Sequence, residues 1–203
     1  MKRFTEPETI EVDKIKGSRF IVTTSPIESE QSVQTILTEL RKQHPNANHH
    51  CWAYRLGDID RSSDDGEPSG SAGEPILQRM KRHQLMDSLI VVTRYFGGTK
   101  LGVGGLVRAY GGSAGEAIET VKVQQLVNLA LFEVEMSYSD QSLIKSIVQL
   151  MKGKIVVERY TDTVYVKVQI EPHDTERFVV QCRDRTAGRV VPSALGNCWI
   201  VQE

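Results

Sequence analysis

Residues 88–96 read SLIVVTRYF, a continuous apolar run rich in β-branched side chains. A run of this length without polar alternation fits a central strand buried on both faces, and it constrains the chain more than any other stretch. Glycines follow at once. From Arg94 to Gly115 the text is RYFGGTKLGVGGLVRAYGGSAG, which holds eight of the chain's 16 glycines, three positive charges and no negative one. Glycine loses more backbone entropy on folding than any other residue, so this density calls for sharp turns or a close backbone approach.

The flanking segments read as alternating elements. TIEVDKIK and SRFIVTTSPI, parted by Gly17, show period-two alternation and read as a hairpin. A helix is expected over 29–43, with Val33, Ile36, Leu37 and Leu40 at helical spacing, Ser29 as N-cap and Pro45 just past the end. HHCWAYRLG reads as a third strand, with Cys51 and Ala53 on one face and His50, Trp52 and Tyr54 on the other. Residues 58–73, DIDRSSDDGEPSGSAG, lack apolar periodicity and are expected to form one long irregular loop. Residues 74–83 form a short helix with Pro75 in its first turn, and 105–122 a helix with Ala109, Gly112 and Gly115 on a small face.

After VQQLVN the pattern restarts. A strand over 129–137, a helix over 139–152, strands over 154–160 and 164–171, a helix over 174–184 and a strand near Trp199 follow in turn. The order β-α-β-β-α-β within about 75 residues is that of a ferredoxin-like split domain. The expected fold class is therefore α+β, in two domains, 1–127 and 128–203.

Composition excludes several classes. The 25 basic and 26 acidic residues leave a net charge of -1, without the overall excess of a generic polyanion binder. The charged N-terminus is unlike a signal peptide, and no run reaches the roughly 20 apolar residues of a membrane span, so a cytoplasmic protein without membrane contact is expected. Cys51, Cys182 and Cys198 form no C-x-x-C pair, which fits reduced thiols and gives no thiolate metal cage. Charge is nevertheless segregated. Residues 58–74 carry Asp58, Asp60, Asp64, Asp65, Glu67 and Glu74 against Arg61, whereas 76–110 carry Arg79, Lys81, Arg82, Arg94, Lys100 and Arg108 against Asp87. The two segments either pair as a solvated network or present an electropositive platform beside an acidic rim.

A strand, a glycine-rich turn and a helix can aim backbone N–H groups at an anion. GVGGLV departs from the dinucleotide fingerprint, with Val107 where the third small residue belongs, and Lys100 precedes the main glycines rather than following them as in a P-loop. Close helix-to-strand packing explains the glycines equally well. SSDDGEP supplies Asp64, Asp65 and Glu67 in one loop near His49 and His50, but its spacing matches no calcium loop or zinc helix, and a turn whose carboxylates accept backbone N–H groups is the simpler reading. Cys51, two residues from His49, invites a nucleophile reading that its place on a core face opposes. Trp52, Tyr54, Tyr95 and Phe96 can stack bases or pack a core.

SSDDGEPSGSAGEPIL together with VVTRYFGGTKLGVGGLVRAYGGSA resembles the signature of the IMPACT family, and the two-domain layout is similar to its bacterial YigZ-type members. The resemblance spans most of residues 18–125. It implies an N-terminal domain with a ribosomal-protein-like β-α-β fold, similar to domain IV of elongation factor G, and a ferredoxin-like second domain similar to domain V. Eukaryotic members restrain the kinase that responds to uncharged tRNA and carry an additional N-terminal RWD domain, which a chain opening almost at its first strand is expected to lack. The implied role is translation-linked binding of RNA, the ribosome or a translation protein. The family assigns no catalytic residue, and neither a metal nor a cofactor is expected. The binding residues expected are Arg94, Gly97, Gly98, Lys100, Gly102, Gly104, Gly105 and Arg108, with Asp64, Asp65, Gly66 and Glu67 of the acidic loop. The alternative is an enzyme acting on a phosphorylated or acyl substrate through residues 62–67, with or without a metal.

Overall fold

The computed structural model describes residues 1–202. The chain separates into two compact units, the first Met1–Gln125 and the second from Leu126 onward. Its elements are β1 (Lys2–Phe4), β2 (Glu8–Ile15), β3 (Ser18–Pro26), α1 (Glu30–Gln43), β4 (His49–Leu56), β5 (Ile59–Ser63), α2 (Gly73–Arg82), β6 (Ser88–Tyr95), α3 (Val103–Thr120), β7 (Val123–Met136), α4 (Gln141–Leu150), β8 (Lys154–Tyr160), β9 (Val164–Ile170), α5 (Thr175–Arg185) and β10 (Ser193–Val201). Among the described residues no helix is long and apolar enough to cross a membrane.

In the first unit five strands form an antiparallel sheet in the order β2-β3-β6-β4-β5. The apolar run SLIVVTRY is β6, at the centre of this sheet. Its alternate side chains serve two cores. Ile90 and Val92 join Phe20, Cys51 and Ala53 beneath Ile76 and Met80 of α2 and Ala109 and Tyr110 of α3. Leu89 and Val91 face the other way, onto Val33, Leu37 and Leu40 of α1. Both faces being covered, β6 has no polar side to alternate, although its neighbours are antiparallel. The α1 helix starts where the sequence places it: Ser29 Oγ accepts from the Ser32 N–H at 3.2 Å, with Ser32 answering as the second half of a capping box. Short β1 pairs with Val123–Gln125 at the start of β7.

Two expectations are corrected. Residues 59–63 are not loop but the edge strand β5, paired antiparallel with β4 from Trp52–Ser63 to Leu56–Ile59. Its IDRSS sequence hides the strand because an edge in contact with water needs no apolar face, and partnership with β4 supplies what local propensity lacks. The helix after the glycines begins at Val103, not Gly105, so Gly104 and Gly105 lie in the first turn of α3 and Gly102 is its N-cap at φ 70.

The second unit runs β7-α4-β8-β9-α5-β10, with antiparallel neighbours in the order β10-β7-β9-β8. Alternate residues of β7 and β9, including Phe132, Val134, Val166 and Val168, pack against Ile144 and Ile147 of α4 and Phe178 and Cys182 of α5. Phe132 meets Phe178 edge-on with ring centroids 5.3 Å apart.

Candidate functional site

The two charged segments meet through a buried ion pair. Glu67 Oε1 accepts from Arg94 Nη1 at 2.6 Å and from the Tyr110 hydroxyl at 2.7 Å, and the Arg94 and Glu67 side chains are 6% and 5% exposed. Arg94 is fixed further by Ser18 Oγ, which accepts from Nη2 at 3.2 Å, and by the rings of Phe20 and Phe96, whose centroids lie 5.7 and 5.6 Å from its guanidinium carbon. Its Nε is buried without a partner. Arg94 therefore anchors the acidic loop to the sheet and is no exposed cation for phosphate.

The other carboxylates of the loop are engaged in the same way. Asp64 Oδ1 accepts from the Ala72 and Gly73 N–H groups at 2.9 and 2.8 Å, and Oδ2 from Gly70 N–H at 2.8 Å, so Asp64 caps the start of α2 from a distance. Asp65, at φ 42, accepts from the His50 N–H at 2.6 Å and pairs with Arg41 at 3.3 Å. Its carbonyl accepts from His49 Nδ1 at 2.8 Å, and Gly66 turns beside that ring at φ 89. Among the described residues no group of three or more His, Cys, Asp or Glu side chains is placed to hold a metal ion.

Burial acts to raise the Asp64 carboxyl, but three backbone donors outweigh it and hold it below the usual range. Asp64 is then ionised at neutral pH in both folded and unfolded chains, and its hydrogen bonds stabilise the fold in full. Below about pH 3.9 the unfolded chain takes up the proton first, and the contribution fades as pH falls through the lower folded value. Asp64→Asn has one acceptor oxygen for three donors, and a loss of about 1–3 kcal/mol is expected at pH 7. Urea midpoints at pH 7 and pH 3 check this: the gap between wild type and variant must narrow in acid, and an equal gap at both pH values refutes the assignment.

Burial likewise pushes the Cys51 thiol up to about 12, while Sγ donates to the Asp64 carbonyl at 3.0 Å. A thiol so held is not a nucleophile at neutral pH. Trp52 and Tyr54 stack on each other at 5.6 Å beside α1, and the Tyr95 hydroxyl meets His44 Nδ1 at 2.9 Å. Of the four aromatic candidates only Phe96 is largely exposed, at 46%.

The glycines divide by role. A Cβ on Gly97 would lie 1.9 Å from the carbonyl carbon of Gly17, so the glycine segment and the β2–β3 turn touch backbone to backbone. Gly98 and Gly102 have open space but φ of 84 and 70, where side chains are disfavoured. Gly104 and Gly105 occupy the first turn of α3, whose N-terminus no side chain caps. Beneath this turn is a cavity of about 350 Å³, floored by Glu67 and Arg94 and walled by Phe96, Lys100, Leu101, Gly102 and Val103. Lys100 is exposed and forms no ion pair among the described residues.

Reasoning from sequence missed a second basic surface. Arg79, Arg82 and Arg108 line a cavity of about 360 Å³ between α2 and α3. All three belong to the basic segment of the sequence, but only the packing of α2 on α3 gathers them at one groove.

A sequence profile for the Impact N-terminal domain matches residues 16–118. IMPACT family member YvyE of Bacillus subtilis is 36% identical over 180 residues, covering 86% of this chain and 82% of that protein. IMPACT family member YigZ of Escherichia coli is 33% identical over 187 residues, covering 90% and 91%. A crystal structure described as that of a hypothetical protein is 30% identical, covers 96% of both chains and superposes with a TM-score of 0.68.

Proposed function

Because the chain belongs to the IMPACT family, we propose that it is a non-enzymatic, translation-linked binding protein that holds RNA, free or ribosomal, at the glycine-rich segment. One observation carries the reading: the first turn of α3 is exposed and uncapped beside Lys100, which has no ion pair among the described residues, while Asp64, Asp65 and Glu67 are all consumed by internal partners. Positive helix-terminal charge and a lysine without neutralising carboxylates attract a phosphate. Gly98, Gly102, Gly104 and Gly105 let that phosphate reach the backbone, Arg108 adds a second cation, and Gly97 keeps the loop against the β2–β3 turn. Asp64, Asp65, Gly66 and Glu67 contribute as the scaffold beneath the site. In this reading the domains are residues 1–127, ribosomal-protein-like, and 128–203, ferredoxin-like, the latter supported by the sheet order β10-β7-β9-β8.

Fluorescence anisotropy with a labelled single-stranded RNA, titrated at several salt concentrations, tests the reading. Binding must weaken steeply with salt, and Lys100→Ala is expected to lower the slope of log K against log salt by about 0.7, the share of one phosphate contact on a single strand. No binding by the wild type at low salt, or a slope untouched by Lys100→Ala, rules it out.

A further inference from the structure

We infer that the groove between α2 and α3 is a second contact for the RNA phosphodiester backbone, so that the RNA crosses the first turns of α3 from Lys100 to Arg82; this rests on the proposed RNA reading and extends it. Arg79, Arg82 and Arg108 line the groove, and none has an ion-pair partner among the described residues. Their neighbours differ: Lys81 and Arg55 share Asp60 at 3.0 and 2.8 Å, and Arg41 holds Asp65. The one carboxylate on the groove, Glu74, accepts from Gln78. Three guanidiniums against one carboxylate leave the groove with a net positive charge, which an anion would offset.

The backbone prepares the groove for such an anion. The Arg79 stem lies over the glycine face of α3, its Nε 3.7 Å from where a Cβ on Gly111 would stand and its Cδ 3.7 Å from that of Gly115. A half-buried stem limits the freedom the guanidinium loses on binding. Arg108 connects the two surfaces. Its Nη1 lies 3.7 Å from the Cβ position of Gly104, in the uncapped first turn, while the same side chain lines the groove. Guanidinium forks match the paired oxygens of a phosphodiester. The apolar side chains on the wall are Pro75 and Val107, whereas a helical acidic peptide docks through a longer row of apolar anchors.

The test uses the full chain, a labelled single-stranded RNA of twelve nucleotides and poly-glutamate as competitor. Arg82→Gln, at an exposed side chain, is expected to keep the wild-type melting temperature, while Arg79→Gln, which also removes packing on α3, is read by its salt slope. Each is expected to lower the salt slope by about 0.7, and the double variant by about 1.4, if each arginine neutralises one phosphate. Arg82→Lys, which keeps the charge, should restore the slope. Wild-type slopes in both glutamine variants, with Lys100→Ala still lowering it, would overturn the groove and leave the first-turn site standing. Failure of the wild type to bind RNA at low salt would remove both. Poly-glutamate that binds the wild type more tightly than RNA and loses affinity in Arg82→Gln would assign the groove to an acidic polypeptide and overturn the inference.

Discussion

Replacing Glu67 by alanine is expected to cost the first unit about 3–5 kcal/mol, the usual result of stranding one partner of a buried ion pair. Two charge-assisted bonds to Oε1 disappear at once, from Arg94 and from Tyr110. Arg94 cannot turn to water, because Phe20 and Phe96 hold its guanidinium from two sides and only Ser18 remains as acceptor. The Tyr110 ring is fully buried, so its hydroxyl loses its carboxylate acceptor with no water to replace it. Urea unfolding followed by Trp52 fluorescence in a Trp199→Phe background reads this unit alone. A loss below about 1 kcal/mol would mean the pair is solvated and the argument fails. The pair Glu67→Leu with Arg94→Met should be less damaging than Glu67→Ala, since a buried pair exchanged whole for apolar side chains leaves no uncompensated charge. A loss of RNA binding in Arg94→Ala would accordingly report on the loop's anchorage and not on a phosphate contact, which is why Lys100 and the groove arginines are the informative positions.

A methyl group at position 97 is expected to be as disruptive as the loss of Glu67. In Gly97→Ala the new Cβ would stand 1.9 Å from the Gly17 carbonyl carbon, 2.1 Å from its oxygen and 2.3 Å from Ser18 N. All three are backbone atoms, and Gly17 already sits at φ 82 in its turn, so no side chain can swing aside. The glycine segment and the hairpin must separate, at a cost of about 3 kcal/mol or more. Gly112→Ala predicts the opposite sign. Nothing lies within 4 Å of its Cβ position, and it is exposed in the middle of α3. Alanine there should add about 0.5–1 kcal/mol by helix propensity. Thermal melts of the two variants give the comparison; Gly97→Ala melting within about 2 °C of wild type would show that the backbone contact is not tight.

Much of the architecture was legible because it is written in local pattern. The helical spacing of Val33, Leu37 and Leu40 and the Ser29 cap located α1, and the unbroken apolar run of β6 announced a strand covered on both sides. The β-α-β-β-α-β order of the second unit followed from successive changes of period. β5 escaped because an edge strand of Ile59–Ser63 composition gains its stability from β4 and not from its own side chains. The candidate site was half visible. Asp64 and Asp65 were readable as acceptors for backbone N–H groups, since short carboxylates among Gly and Ser form such turns. Arg94 and Lys100 were indistinguishable as positive letters, yet one is a buried anchor and the other an exposed side chain with no ion pair among the described residues.

From its sequence alone this protein's family, most of its element order and the segregation of its charge could be derived, because motif, period and composition are properties of neighbouring residues. The tertiary structure alone decided which charges are spent and which are available. Glu67 meets Arg94 across 27 positions because β6 lies beside β3 and β4 in the sheet, Gly17 meets Gly97 for the same reason, and Arg79, Arg82 and Arg108 share a groove because α2 packs on α3. Sheet order and helix packing bring distant residues together to bury apolar surface, and the electrostatic role of each side chain follows from the neighbours it acquires there.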